Sequence, residues 1–374
     1  MSFPRFSYGP LLLCALLFAA AASAQPVLVG AVVSESAAEY RKGLVLWHEE
    51  LTGAGGLLGR SVELVLLDDG AQASRTAAQY AELIKRGADL LIGPFGSAAT
   101  LVAAAEAERA RRVMVNGGGP SRAVHKRSPR YLFQVVAPYA AYGSGMLELA
   151  KEARCERLMV LGREDGASAE MAEGAQALAR RPGPPESYSG GESSFAAAIG
   201  KARAADVQAW IAFGEARDAA DMVIAFRRSG YAPPMFFAAA TSQPQFRSLV
   251  GRDAEGSFGL VRYDARLATT GNAAFVKSFA ARWKSAPAAP AAEGYAAATV
   301  LAEAVRRAGS LDQEKLRGVL STMEADTVLG RYRVDQASGE QAGIRPAVTQ
   351  ILKGRAEIVW PPSLKTAEPN LKCH

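Results

Sequence analysis

Histidine and cysteine are scarce in this chain, three of each among 374 residues. His48 falls in a helical pattern, His125 in a basic loop and His374 at the very end. No two of them have the spacing of metal ligands, and neither Cys155 nor Cys373 has a ligand partner nearby. No metal or cofactor is therefore expected. A Gly-x-Ser-x-Gly nucleophile elbow is missing too, because Gly96-Ser97 lacks the following spaced glycine. The glycine-rich stretch 53–59 has the composition of a dinucleotide loop but the wrong order, since it follows a helix and precedes a strand. Gly117-Gly118-Gly119 follows a strand, yet no Lys-Ser/Thr comes after it. Glu164, Asp165, Glu215 and Asp218 are the only acids placed where catalysis could use them. These absences leave no advertised catalytic arrangement, so the chain is not expected to be an enzyme.

Long apolar runs are also lacking after the first two dozen residues. Arg5, the apolar stretch 11–22 and the small residues Ala22-Ser23-Ala24 before Gln25 make a secretory signal, so residues 1–24 are expected to be removed on export to the periplasm. The run is too short for the ~20 residues of a spanning helix. What remains has the length of two ordinary domains, with 49% apolar residues to fill two cores. The formal charge of +6 does not point to nucleic acid: Lys and Arg alternate with acids, and the basic patch 125–130 carries no interleaved aromatics. Export permits a bridge between Cys155 and Cys373, but their surroundings leave the pairing open.

What is present is an alternation. Short apolar, β-branched runs at 27–33, 62–67, 90–93 and 113–116 are separated by helical patterns at 40–51, 74–86 and 97–111. The pattern resets near Pro138, with strands at 158–161, 207–213, 235–238 and 258–263 and helices at 139–153, 168–180, 195–204 and 216–229. Such alternation implies parallel sheets covered on both faces. The last third carries helices at 273–284, 294–308 and 313–323 with no strands between them. Strands at 331–334, 347–353 and 358–360 follow. These elements cannot build a third unit and are expected to complete the first two, so the chain crosses between lobes several times.

In open parallel sheets ligands bind beyond the carboxyl ends of the strands. In the first unit that edge holds residues 34–40 (with Ser36 and Tyr40), 95–100 (Phe95, Gly96, Ser97) and 116–121 (Gly118, Gly119, Ser121). Ser97 is the expected cap of the following helix, where open N–H groups and a hydroxyl can receive an acceptor. The glycines of 117–119 let backbone approach a ligand. In the second unit the same edge holds residues 164–168 (Ala167), 214–218 (Glu215, Asp218) and 238–243 (Ala240). Tyr40, Phe95, Tyr142 and Phe213 are aromatic candidates for cleft walls, and Phe213 suits the core equally well.

Taken in order, residues 53–64 (GAGGLLGRSVEL) with Asp68-Asp69, 91–100 (LIGPFGSAAT), 115–121 (VNGGGPS), 213–230, 293–305 and 350–361 resemble the type I periplasmic solute-binding proteins of ABC importers, in the branched-chain amino-acid-binding group. The resemblance implies an α/β Venus flytrap of two Rossmann-like lobes with three crossovers. One lobe would be 25–137 plus 264–327, the other 138–263 plus 328–362, with 363–374 as a tail. It implies a monomer that delivers a small ligand to a membrane permease, or alternatively signals to a separate receptor. Ser97 and the loop Gly118 to Ser121 would hold the ligand's polar head. The second lobe departs from the pattern. Ala167 and Glu215 stand where aromatics are usual, and Ala240 where an acid would bind an ammonium. Glu215 or Asp218 is the substitute candidate for that charge, and the ligand is an amino acid or a related carboxylate, amide or aromatic acid.

Overall fold

A computed structural model describes residues 25–373. The expected signal segment and Cys14 lie outside the described residues. Five parallel strands, β1 (Val27–Val32), β2 (Val62–Leu67), β3 (Leu90–Ile92), β4 (Met114–Asn116) and β5 (Leu132–Gln134), form one sheet in the order β2-β1-β3-β4-β5. The second sheet contains β6 (Leu158–Arg163), β7 (Glu186–Tyr188), β8 (Ala209–Phe213), β9 (Met235–Ala238) and β10 (Phe258–Val261), all parallel. A separate hairpin, β11 (Ala325–Thr327) with β12 (Gly330–Tyr332), precedes β13 (Ala347–Leu352) and β14 (Arg355–Trp360). The last two extend the second sheet antiparallel, in the order β14-β13-β10-β9-β8-β6-β7. β8 is buried along its whole length, as the run of apolar residues demands when both faces are covered.

The chain passes from the first sheet to the second after β5, back after β10 and over again after β12, giving a hinge of three segments. The helices of the last third belong with the first lobe. Helix Ala289–Ala308 lies against helix Ala38–Gly53, and an added Cβ at Gly43 would fall 2.0 Å from the Ala291 carbonyl oxygen. Small residues set that spacing: Ala291, Ala292, Ala296 and Ala297 are fully buried along the contact face. One hydrophobic core runs through both lobes and the hinge, from Val29 and Tyr40 to Phe213, Val348 and Trp360. Two further clusters lie around Trp210, Phe226 and Phe246, and around Tyr80, Leu91 and Met114.

Three details differ from the sequence pattern. Residues 181–191, between the helices expected at 168–180 and 195–204, contain the edge strand β7, three residues long and paired only with β6. The helix expected over 139–153 divides into a 3-10 turn, Tyr139–Ala141, and helix Ser144–Glu152. At the break, a side chain on Gly143 would meet Ala175 at 2.6 Å. A short helix, Pro244–Val250, was not anticipated, being too short to show a period.

Cys155 and Cys373 are joined in a disulfide, with Cα atoms 5.3 Å apart. The C-terminal tail is thereby fastened to the second lobe, where the Asn370 N–H donates to Gln350 Oε1 (2.8 Å) and Gln350 Nε2 donates to the Asn370 carbonyl (3.0 Å).

Candidate functional site

At the carboxyl edge of the first sheet, the turn after β3 leads into helix Ser97–Ala110. Gly96 takes the cap position with φ of 99°, a backbone conformation that favours glycine. Ser97 is therefore the first helical residue and not the cap it was expected to be. Its hydroxyl instead accepts the Ser121 N–H at 3.2 Å, tying this turn to the loop after β4. The glycines of that loop serve packing. A Cβ would fall 2.5 Å from the Glu293 carbonyl at Gly117, 2.7 Å from Phe95 Cα at Gly118 and 2.4 Å from Thr100 Oγ1 at Gly119. The Gly118 carbonyl accepts the Gly96 N–H (2.7 Å), and the Gly118 N–H turns inward to Asn116 Oδ1 (3.1 Å). Gly118 and Gly119 are buried, so the expectation that they bare backbone to a ligand is corrected.

The second lobe reaches this loop through a residue the sequence did not single out. Ser121 Oγ donates to Glu170 Oε2 at 2.7 Å, and the Arg122 N–H donates to Glu170 Oε1 at 2.6 Å. Glu170 stands in the opening turns of helix Gly166–Leu178, which starts beyond β6. Asp165 caps that helix by accepting the N–H groups of Ala167 (3.1 Å) and Ser168 (2.8 Å). Ala167 is half-buried in the same turn. The contact closes the lobes on each other at this point.

Farther along the second edge, Arg163 at the end of β6 lies 3.0 Å from Glu215 Oε2 and 3.4 Å from Asp218 Oδ2. Asp218, then Glu215, hold the guanidinium even more firmly protonated than usual. Asp218 is buried and accepts the Glu215 N–H at 2.9 Å, capping helix Ala216–Ser229. Both acids proposed for an ammonium are thus already committed to Arg163. Ala240 is buried in the core cluster with Ala216, Ala238 and Phe246, because its 3-10 turn folds back on β10, with Ser242 Oγ donating to the Leu260 carbonyl (2.7 Å). It does not line the cleft, which corrects its expected place.

Between the lobes lies a charged, aromatic floor. The Tyr139 N–H donates to the Pro120 carbonyl (2.9 Å), and the Tyr139 ring packs edge-on to Tyr142 at 5.3 Å. Arg262, immediately after β10, sits with Nη1 3.0 Å from Glu293 Oε1, but off the line of a hydrogen bond, so both Glu293 oxygens lack a hydrogen-bonding partner. Burial pushes the Glu293 carboxyl up, against the pull of Arg262. A cavity of about 10 Å³, lined among others by Tyr142, Arg262 and Glu293, adjoins the pair; that is room for about one water.

Of the sequence candidates, Ser97, Ser121 and the buried Gly118 and Gly119 come together, with Phe95 half-buried beside them. Tyr40 does not line the cleft: it is fully buried, its hydroxyl donates to the Gly93 carbonyl (2.9 Å) and burial pushes that hydroxyl up. Tyr142 is nearly buried at the hinge, and Phe213 is core. Ser36 is exposed and bonds only to Ser34 among the described residues (2.9 Å). Arg163, Glu170, Arg262, Glu293 and Tyr139 were missed. For Glu170 a signal existed, since a carboxylate one turn into a helix beginning at a strand's carboxyl end faces the cleft. Among the described residues no cluster of His, Cys, Asp and Glu could hold a metal ion, and no helix is long and apolar enough to cross a membrane.

This arrangement matches a known one, for the model of the periplasmic binding proteins covers residues 29–355. The chain belongs to the periplasmic binding protein family. It is similar in fold to a leucine-binding protein from Thermotoga maritima, at 23% identity over 89% of this chain and 97% of that one, with a TM-score of 0.68. An ABC transporter substrate-binding protein from Sphaerobacter thermophilus gives 20% identity over 93% and 99%, with a TM-score of 0.73. A solute-binding protein of an ABC transporter from R. palustris, solved with benzoate, gives 16% over 94% and 99%, with a TM-score of 0.67. This periplasmic binding protein is a solute binder and not an enzyme, and its family places it outside the cytoplasm.

Proposed function

We propose that this protein captures a small carboxylate, an amino acid or an aromatic acid, between its lobes and presents it to a membrane permease. The observation that carries the reading is the direct bridge from Glu170 of the second lobe to Ser121 and Arg122 of the first, which marks where the two carboxyl edges close on each other. The moving bodies would be 25–137 plus 264–327 and 138–263 plus 328–362, working as a monomer. Leucine and benzoate, named for two of the similar proteins, share only their carboxylate, so that group is the common element of the proposal. Basic residues paired with acids across the surface, such as Arg157 with Asp206 and Arg282 with Glu49, leave no reason to invoke nucleic acid. A melting-temperature screen of leucine, isoleucine, benzoate and related acids tests this. A ligand at about a hundred times its Kd adds about 2.7 kcal/mol of stability. An unshifted transition with every acid, together with a shift from a neutral sugar or amide, would refute the carboxylate reading.

A further inference from the structure

We infer that Arg262, at the cleft floor, receives the ligand's carboxylate, and that the loop of Ser97 and Ser121 does not; this rests on the carboxylate reading above. Arg262 directly follows β10, at the carboxyl end of a strand that runs parallel to β9. Its ion partner Glu293 belongs to the first-lobe helix Ala289–Ala308 and packs against Gly117, beyond the end of β4. The guanidinium therefore stands where the two carboxyl edges meet.

Its donors are largely free. Nη1 approaches Glu293 off the line of a hydrogen bond, and the hydroxyls of Tyr142 and Tyr139 are its other polar neighbours. The side chain keeps 32% of its exposure. A guanidinium carries five N–H donors in a planar fork that fits a carboxylate two bonds at a time. The half-buried Tyr139 supplies an aromatic wall next to it.

The first-lobe loop is in the opposite condition. The Ser121 N–H is spent on Ser97 Oγ, Ser121 Oγ and the Arg122 N–H on Glu170, and the Gly118 N–H on Asn116. A ligand carboxylate on Ser121 would have to evict Glu170, which already takes two donors there, whereas beside Arg262 the guanidinium's own charge offsets Glu293.

The test is calorimetric titration near neutral pH of wild type, Arg262→Gln, Arg262→Lys and Ser121→Ala, with benzoate against benzamide and L-leucine against L-leucinamide. Wild type should prefer at least one acid over its amide. Arg262→Gln should weaken that acid about tenfold or more and bring the preference close to unity, as loss of a charge-assisted pair requires. Arg262→Lys should restore part of the preference, and Ser121→Ala, which removes one bond of the interlobe bridge, should weaken acid and amide alike and leave their ratio unchanged. The inference fails if Arg262→Gln keeps the acid preference, or if Ser121→Ala abolishes it. If wild type binds neither acid nor prefers it over the amide, the carboxylate reading itself fails and takes the inference with it.

Discussion

Replacing both Cys155 and Cys373 by serine should lower stability by an amount set by the length of chain the disulfide closes. The two residues are 218 apart in sequence. The chain-entropy relation for such a loop gives about 5 kcal/mol, near the top of what single disulfides deliver. The temperature shift depends on what unfolds as a unit. With an unfolding entropy of about 2.1 cal/mol/K per residue, melting of both lobes together converts this into roughly 7 °C. If the second lobe, about 160 residues, melts alone, the shift is roughly 15 °C. Both sulfurs are buried, Cys155 at 6% and Cys373 at 2% exposure, so a reductant added to the folded protein acts slowly and the double variant is the cleaner comparison. Differential scanning calorimetry of wild type and variant reads the shift, and a single transition against two separates the cases. A shift below about 2 °C would refute the reasoning. It would mean that the tail detaches early and the closed loop never restrains the unfolded chain.

Gly119→Ala should cost about 1–3 kcal/mol in urea unfolding, because the new methyl would meet Oγ1 of the fully buried Thr100 at 2.4 Å and its Cβ at 2.7 Å. Adding Thr100→Ala should recover part of that loss, and no recovery would show that the clash is not the cause. Glu293→Gln should gain on wild type as pH rises. Burial raises the Glu293 carboxyl, so the native state holds its proton longer than the unfolded chain does. Its contribution is then fully present below the ordinary carboxylate range and lost as pH climbs through the raised value, whereas glutamine does not titrate. The difference in melting temperature, variant minus wild type, should increase between about pH 5 and about pH 8; a difference that shrinks over that window would contradict the assignment.

The lobes were readable because burial on both faces forces continuous apolar runs, as in β1 and β8, and such runs are visible without partners. β7 and helix Pro244–Val250 escaped because three and seven residues carry no period, and β7 has a neighbour on one side only. The backbone of the site was legible in the same way: the strand ends place Ser97 and Ser121 at one edge. Its charges were not. Glu170 meets Ser121 from 49 residues away, Arg163 meets Asp218 across 55, and Cys155 pairs with Cys373 across 218. Spacing along the chain has no bearing on contacts made by folding two lobes together.

Ala240 shows what such blindness costs a site assignment. The resemblance set it where an acid would bind an ammonium, which suggests that restoring the acid would restore an amino-acid site. In the fold the residue is 4% exposed among Ala216, Ala238 and Phe246, packed on apolar side chains. A carboxylate there would lose its hydration among apolar side chains, which is costly. The polarity of this cleft is therefore set elsewhere. Glu215 and Asp218 share the one guanidinium of Arg163, Glu293 holds one edge of Arg262, and Glu170 spans the lobes. On the inference drawn above, the charge that meets a ligand is at the floor, on the donors of Arg262 that Glu293 does not take.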